Sequence, residues 1–567
     1  MSRKTIIATL CLVFVSPAAW ADEKADLLEL KNTVLNLMDA LVEQGVLSRE
    51  KADSLVKQAE ERAASDAQAA VKKTMKPGTD AAETAITDEA VEPGVVRVPY
   101  VPEFVKEEIR EQVRQELRKD VANDVVAQAK SERWGVPGAL PDWVSRIKWK
   151  GDFRLRNQSD FFSDKNERCE DLSGNIVPCS YLDFLAINDA GGFTAAGVDA
   201  ILNTTEDRSR QRVRARLGME AKLTDELKFG ARVTTGNEVD PVSTNETLGR
   251  FNRNFDAVLD QLYLQYDGEN SHGYPWLTLA AGRIPNPWLS TDLVWDEDLN
   301  FDGAAATFRY NLSGADSLLD LQDRSQSVFL TTGAFPLQEV ELSSRDKWLF
   351  GAQLGFEKIF TNQSKAQLAF AYYDYAHITG KRNPFDSEIN DFTAPEFVQK
   401  GNTPFDIRSD DNPNTELFAL ASDYDLINLT GEVDFAQLAP IHVIVSADLV
   451  RNIGFDEDEI FDRTGGRVRE RTNGYQLGIT AGWPQISKWA DWQVFGAYKY
   501  LQRDAVLDAF TDSDFHLGGT DAEGWILGAK LGLTRQTWLR LRWLSADEID
   551  GPPLGIDVLQ VDLNAKF

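Results

Sequence analysis

Five arginines, Arg208, Arg210, Arg212, Arg214 and Arg216, occupy every second position of one segment. In an extended chain that spacing puts all five side chains on one face. Arg154, Arg156, Arg232, Arg540 and Arg542 recur in other segments of the same alternating kind. A second stretch has the opposite sign. From Arg283 to Asp302 the chain carries Asp292, Asp296, Glu297, Asp298 and Asp302, and no Lys or Arg occurs between Ile284 and Phe308. Guanidinium and carboxylate walls facing each other across water set up a field that orients dipolar solutes and favours small ions or acids. A wetted face needs only polarity, and a ladder of five guanidiniums exceeds that need. The acidic stretch also holds Trp288, Leu293, Trp295 and Phe301. Such large apolar groups predict that it packs against another part of the chain.

Other chemistry is thinly supplied. Of four histidines, His442 and Ser446 share one face of an alternating segment, while His272, His377 and His516 fall in turns or loops. No set of nucleophile, base and orienting group emerges, so catalysis is not expected. Cys11 lies in the leader, which leaves Cys169 and Cys179. In an exported chain these two most simply close a disulfide loop; a metal pair is the weaker reading, with no His nearby. Asp410 and Asp411, and separately Asp456, Glu457, Asp458, Glu459 and Asp462, form acidic clusters. Solvation accounts for them, and weakly bound Ca²⁺ is the alternative because hard cations prefer carboxylate oxygen. No other cofactor is expected. A net charge of −30 over 567 residues argues against nucleic acid as a partner.

The elements that must position these groups begin with an export signal over 1–21. Arg3 and Lys4 precede an apolar run, and Ala19-Trp20-Ala21 is a small-x-small cleavage site. Residues 22–70 predict helix, with Leu27, Leu30, Val34, Leu37 and Leu41 on an a/d seam. An acidic, proline-bearing linker follows over 71–101, a second helix over 102–134 and a connector over 135–145. The two seams fit either a helical hairpin or a self-associating coiled coil, such as a trimer. No later stretch offers about 18 consecutive apolar residues, so no membrane helix is expected.

From 146 to 567 the period changes to 2. One face of the first strand carries Ile147, Trp149, Gly151, Phe153 and Leu155; the other carries Lys148, Lys150, Asp152, Arg154 and Arg156. Sixteen such segments occur, many of them near the nine to eleven residues that a tilted membrane strand needs. Short turns alternate with long polar connections at 158–207, 236–256, 376–426, 451–473 and 504–523. Strand-end aromatics suited to a membrane interface are Trp149, Tyr266, Trp276, Trp492, Tyr498, Trp525 and Trp543. The last strand alternates up to Phe567, and a terminal aromatic there resembles the assembly signal of outer-membrane proteins.

The Leu41–Leu47 run, the strand Trp149–Arg156 and the stretch Gly282–Gly303 carry a further likeness. With the export signal, the helices and the terminal Phe, the chain resembles the putative-porin family of Gram-negative outer membranes. The resemblance implies a transmembrane β-barrel of about 16 antiparallel strands, preceded by a periplasmic α-helical or coiled-coil region. It implies passive diffusion of small hydrophilic or ionic solutes through a water-filled pore. It also implies contact with outer-membrane lipid, lipopolysaccharide and the barrel assembly machinery, and a homotrimer. Counting connections makes Arg283–Asp302 the third outer loop, which in porins folds inward and narrows the channel. The basic residues named above would then form the facing wall. A structural alternative is an outer-membrane tether whose periplasmic helices contact the cell wall.

Overall fold

The computed structural model describes residues 146–170, 176–177, 181–271, 273–312, 325–341, 343–410, 412 and 414–567. The export signal, helices, linker and connector lie outside the described residues, as do Cys179 and Asp411. The expected disulfide therefore lies outside them too, although Cys169 begins a two-residue strand paired with Ile176–Val177.

Sixteen long strands follow one another around a closed antiparallel sheet. They are β1 (Ile147–Phe162), β2 (Arg208–Lys222), β3 (Leu227–Thr235), β4 (Ala257–Glu269), β5 (Pro275–Pro285), β6 (Asn300–Asn311), β7 (Gln326–Gln338) and β8 (Lys347–Ile359). The second half is β9 (Lys365–Ala376), β10 (Asp425–Leu438), β11 (Ile441–Asn452), β12 (Asn473–Gly482), β13 (Trp492–Leu501), β14 (Ala522–Gly532), β15 (Thr537–Glu548) and β16 (Gly555–Lys566). Each pairs with its neighbours in sequence, and β16 pairs with β1 from Asp152↔Lys566 to Phe162↔Ile556. Closure leaves no unpaired edge, which is what a sheet in hydrocarbon requires. The two-residue strand Glu246–Thr247 adds a short pairing beside Arg212 and Val213 of β2.

Each predicted segment has its strand. Some strands run longer than the alternation alone marked: β1 continues to Phe162, so the first long connection starts at 163 rather than 158. The first long connection carries a short helix, Phe184–Ala190, N-capped by Asp183.

The distribution of side chains inverts that of a water-soluble protein. Leu354 and Ile479 on the outer face are 60% and 55% exposed, whereas Arg156, Gln353 and Asp448 on the inner face are 0% exposed. In water such an apolar outer band would be unfavourable at roughly 25 cal/mol per Å². In lipid it is the required surface, and charge there would cost about 2–4 kcal/mol at mid-depth. Trp149, Trp276, Trp492, Trp525 and Trp543 are all exposed on this outer face. Phe567 ends the chain at the seam: its amide donates to the Gly151 carbonyl at 3.0 Å, and its carbonyl accepts from the Gly151 amide at 3.1 Å. Its ring occupies the space where a Cβ on residue 151 would stand. A larger residue there would push the last strand away from the first.

Candidate functional site

The acidic loop is shorter than its sequence limits suggested. Arg283 pairs with Asp302 across β5 and β6, and their side chains form an ion pair of 2.8 Å. The loop proper is therefore 286–299, and Asp302 lies on a strand with its charge matched. This corrects its assignment to the acidic loop.

The first half of the loop is held by burial. Trp288, Leu293 and Trp295 are all buried. Trp288 packs edge-on against Phe335 of β7 and Tyr373 of β9, and Trp295 does so against Phe301 and Tyr373. Polar ties run alongside. The Leu289 amide donates to Gln353 Oε1 at 2.8 Å, and Gln353 Nε2 donates back to the Leu289 carbonyl at 2.9 Å. Thr291 Oγ1 donates to Asp448 of β11 at 2.6 Å. Gln476 Nε2 of β12 donates to Asp292 at 2.7 Å, and Lys499 of β13 lies 3.8 Å from the same carboxylate.

The second half meets the opposite wall. Asp298 accepts from Arg214 Nη1 at 3.0 Å, Arg216 Nη1 at 2.9 Å and Thr244 Oγ1 at 3.1 Å. The loop thus reaches from the β7–β9 wall across the barrel interior to β2. The connection 502–521 braces it. The Asp296 amide donates to the Phe510 carbonyl at 2.8 Å, Ser513 N donates to Asp296 at 3.0 Å, and Thr511 Oγ1 donates to the Leu293 carbonyl at 2.9 Å.

The three acids at the tip therefore differ. Asp298 is bound by two arginines. Asp296 accepts two backbone amides, from Asp298 and Ser513; burial, with Asp512 and Asp298 close by, pushes its carboxyl well above the ordinary range. Glu297 alone faces the lumen, with 65% of its side chain exposed. It lies at depth, so protein surrounds it while water still reaches it. Burial there opposes ionisation, yet Arg540, Arg214, Arg154 and Arg542 overcome it and hold the carboxyl down at about 2.

On the facing wall, Arg154, Arg156, Arg212, Arg214, Arg216, Arg540 and Arg542 share one arc, because β16 closes onto β1. The register aligns Arg212, Arg156, Asp562, Arg540 and Lys530 in one row across five strands. Arg232 stands apart on β3, 2.5 Å from Asp260 of β4. Many of the arginines hold fixed acids. Arg156 contacts Asp562 at 2.8 Å and Asp514 at 3.0 Å; Arg216 contacts Asp152 at 2.7 Å. Arg542 also reaches Asp514. That carboxyl is lowered well below the usual range, because these arginines outweigh its burial.

Sequence reasoning missed Asp512, Asp514, Lys499 and Lys530. Asp152 and Asp562 carried a legible signal, since they alternate onto the inner faces of β1 and β16. Asp514 carried none, because it reaches the wall only through loop folding. Among the outer acids, Asp456 caps the helix Glu457–Thr464, accepting from the amides of Asp458 and Glu459, with Glu457–Glu459 in its first turn. Among the described residues no three His, Cys, Asp or Glu converge as a metal-ligand set. His442 contacts Asp434 at 2.7 Å.

A search of the curated proteins gave no match. Among solved structures, the chain is similar to Pseudomonas putida OprB at high pH, at 11% identity and a TM-score of 0.41, covering 75% of this chain and 96% of that one. Salmonella typhi OmpF in complex with daunomycin gives 9% identity and 0.38, covering 74% and 97%. The Acinetobacter baumannii outer-membrane channel DcaP gives 10% and 0.38, also covering 74% and 97%. A family model described as putative porin matches residues 31–567. This chain belongs to that putative porin family, and it is an outer-membrane β-barrel channel protein.

Proposed function

We propose that the protein is a passive, water-filled pore for small hydrophilic and ionic solutes, narrowed where the 286–299 loop crosses the lumen. The observation that carries this reading is the two-sided attachment of the loop: Trp288 on Phe335 and Tyr373 at one wall, Asp298 on Arg214 and Arg216 at the other. A surface loop has no use for buried tryptophans, whereas a partition across a channel must be held at both sides. Polar residues line the interior, as an aqueous path requires. Charges across such a gap interact at a few kcal/mol or less, since an effective dielectric near 20 gives about 4 kcal/mol at 4 Å. That is enough to bias passage and too little to trap a solute.

Purified full-length protein in planar bilayers should open discrete, ohmic channels without an energy source. Absence of channels in bilayers that conduct with a control porin would end this reading.

A further inference from the structure

Ion pairing on the inner wall is uneven. Arg214 and Arg216 share Asp152 and Asp298. Arg156 and Arg542 share Asp514, and Arg156 also holds Asp562. Arg154, Arg212, Arg540 and Lys530 lack equivalent partners among the described residues. Arg154 donates once, to Asn245 at 2.6 Å, and stands 3.9 Å from Glu297. Arg212 donates to Ser243 Oγ at 3.3 Å. Arg540 and Lys530 lie over the ring of Phe495, 5.8 and 5.7 Å from its centre. The Nε atoms of Arg154, Arg212 and Arg540 are buried without a hydrogen-bond acceptor among the described residues. Among the carboxylates near these cations, Glu297 is the one whose side chain makes no hydrogen bond among the described residues, and its closest ion pair is the 3.9 Å approach to Arg154.

Arg154, Arg540 and Arg542 line one cavity of about 230 Å³ between the acidic loop, the 502–521 connection and the wall, together with Glu297 and five acids that are already engaged: Asp298 by Arg214 and Arg216, Asp514 by Arg156 and Arg542, Asp292 and Asp512 by Lys499, and Asp296 by two backbone amides. We propose that this cavity is an oxyanion-binding site on the permeation path, with Glu297 as its tethered occupant, which the carboxylate or phosphate group of a passing solute displaces. The inference rests on the pore reading and adds a solute class to it. A guanidinium offers two parallel N–H donors to a carboxylate or phosphate oxygen pair, and Arg540 makes no such bond among the described residues. Glu297 is held by the surrounding field rather than by hydrogen bonds, so its departure breaks none. A tethered competitor acts at a high effective concentration and weakens binding of the free anion. Weak binding with fast release is what conduction requires.

The test uses full-length protein in planar bilayers, with inorganic phosphate and acetate as separate probes added to a chloride salt. The wild type should prefer anions in a salt gradient, and both probes should reduce the chloride current only at high concentration. Glu297→Gln should lower the blocking concentration by about tenfold, the order expected when a tethered competitor is removed. Arg540→Gln and Lys530→Gln, which leave no buried acid unpaired, should each weaken the block and move the reversal potential toward cations. Block by phosphate alone would support a site for dianions; block by both probes, one for single carboxylates as well. Channels that open normally but show the same block and reversal potential in Glu297→Gln and Arg540→Gln would overturn the oxyanion site and leave the pore standing. Absence of channels would overturn both.

Discussion

The two halves of the acidic loop are held by different physics. From Trp288 to Trp295 the loop buries aromatic rings on the β7–β9 wall. From Asp296 to Asp298 it meets arginines of the opposite wall and the backbone of the 502–521 connection. Burial is insensitive to salt and pH and fixes position. The charged contacts respond to both. A loop anchored at one end by apolar packing can keep a carboxylate at its tip in a defined place without binding that carboxylate itself. Glu297 is in that position, between two neighbours that are each fully engaged.

The strongest way to break the contrast is Trp295→Ala. Removing a buried tryptophan typically costs about 3–5 kcal/mol. The barrel should still assemble, since its strands pair independently of this ring. The loop should lose its seat, and single-channel conductance should rise with greater current noise. Unchanged conductance would show that the charged end alone holds the loop.

Arg214→Gln attacks the other end. Asp298 would keep Arg216 and Thr244 as partners, so the expected cost is roughly 1–3 kcal/mol, that of one charged hydrogen bond lost at a buried acid. Conductance should change less than in Trp295→Ala, and the effect should grow at high salt. A larger effect than that of Trp295→Ala would reverse the roles of the two ends.

The smallest effect concerns the brace. Asp508, in the 502–521 connection, is buried, and burial raises its carboxyl to about 7. The folded loop therefore keeps a proton that the unfolded chain releases at the ordinary carboxylate range. This contribution is complete below that range and is lost as pH rises through about 7. Amide exchange in 502–521, corrected for its intrinsic rate, should be slower at pH 6 than at pH 8. Asp508→Asn should flatten that difference. Equal protection at both pH values in the wild type would remove Asp508 as the cause.

Much of the barrel was legible from alternation, because a strand in lipid must show hydrocarbon side chains outward and polar ones inward at period 2. Trp149, Phe153 and Leu155 against Arg154 and Arg156 is enough to orient β1. That the third outer loop packs against another part of the chain was legible from Trp288 and Trp295, because large apolar groups have no place in a solvated loop; its inward direction was implied only by the family resemblance. The arginine arc was legible as a set of residues and not as a set of roles. Arg214 and Arg540 read alike in sequence, yet one is bound on two sides and the other faces the lumen.

By itself, then, the sequence determined which residues face inward, how many strands close the barrel and which loop bears the acids, because all of these follow from local periodicity. Only the tertiary structure decided which charges remain free. Arg156 finds Asp562 at a separation of 406 residues and Asp514 at 358. Asp296 is withdrawn into hydrogen bonds with a connection more than two hundred residues away. An ion pair depends on distance in space, falling off within a few ångströms, and period-2 alternation carries no information about which distant carboxylate a guanidinium will meet.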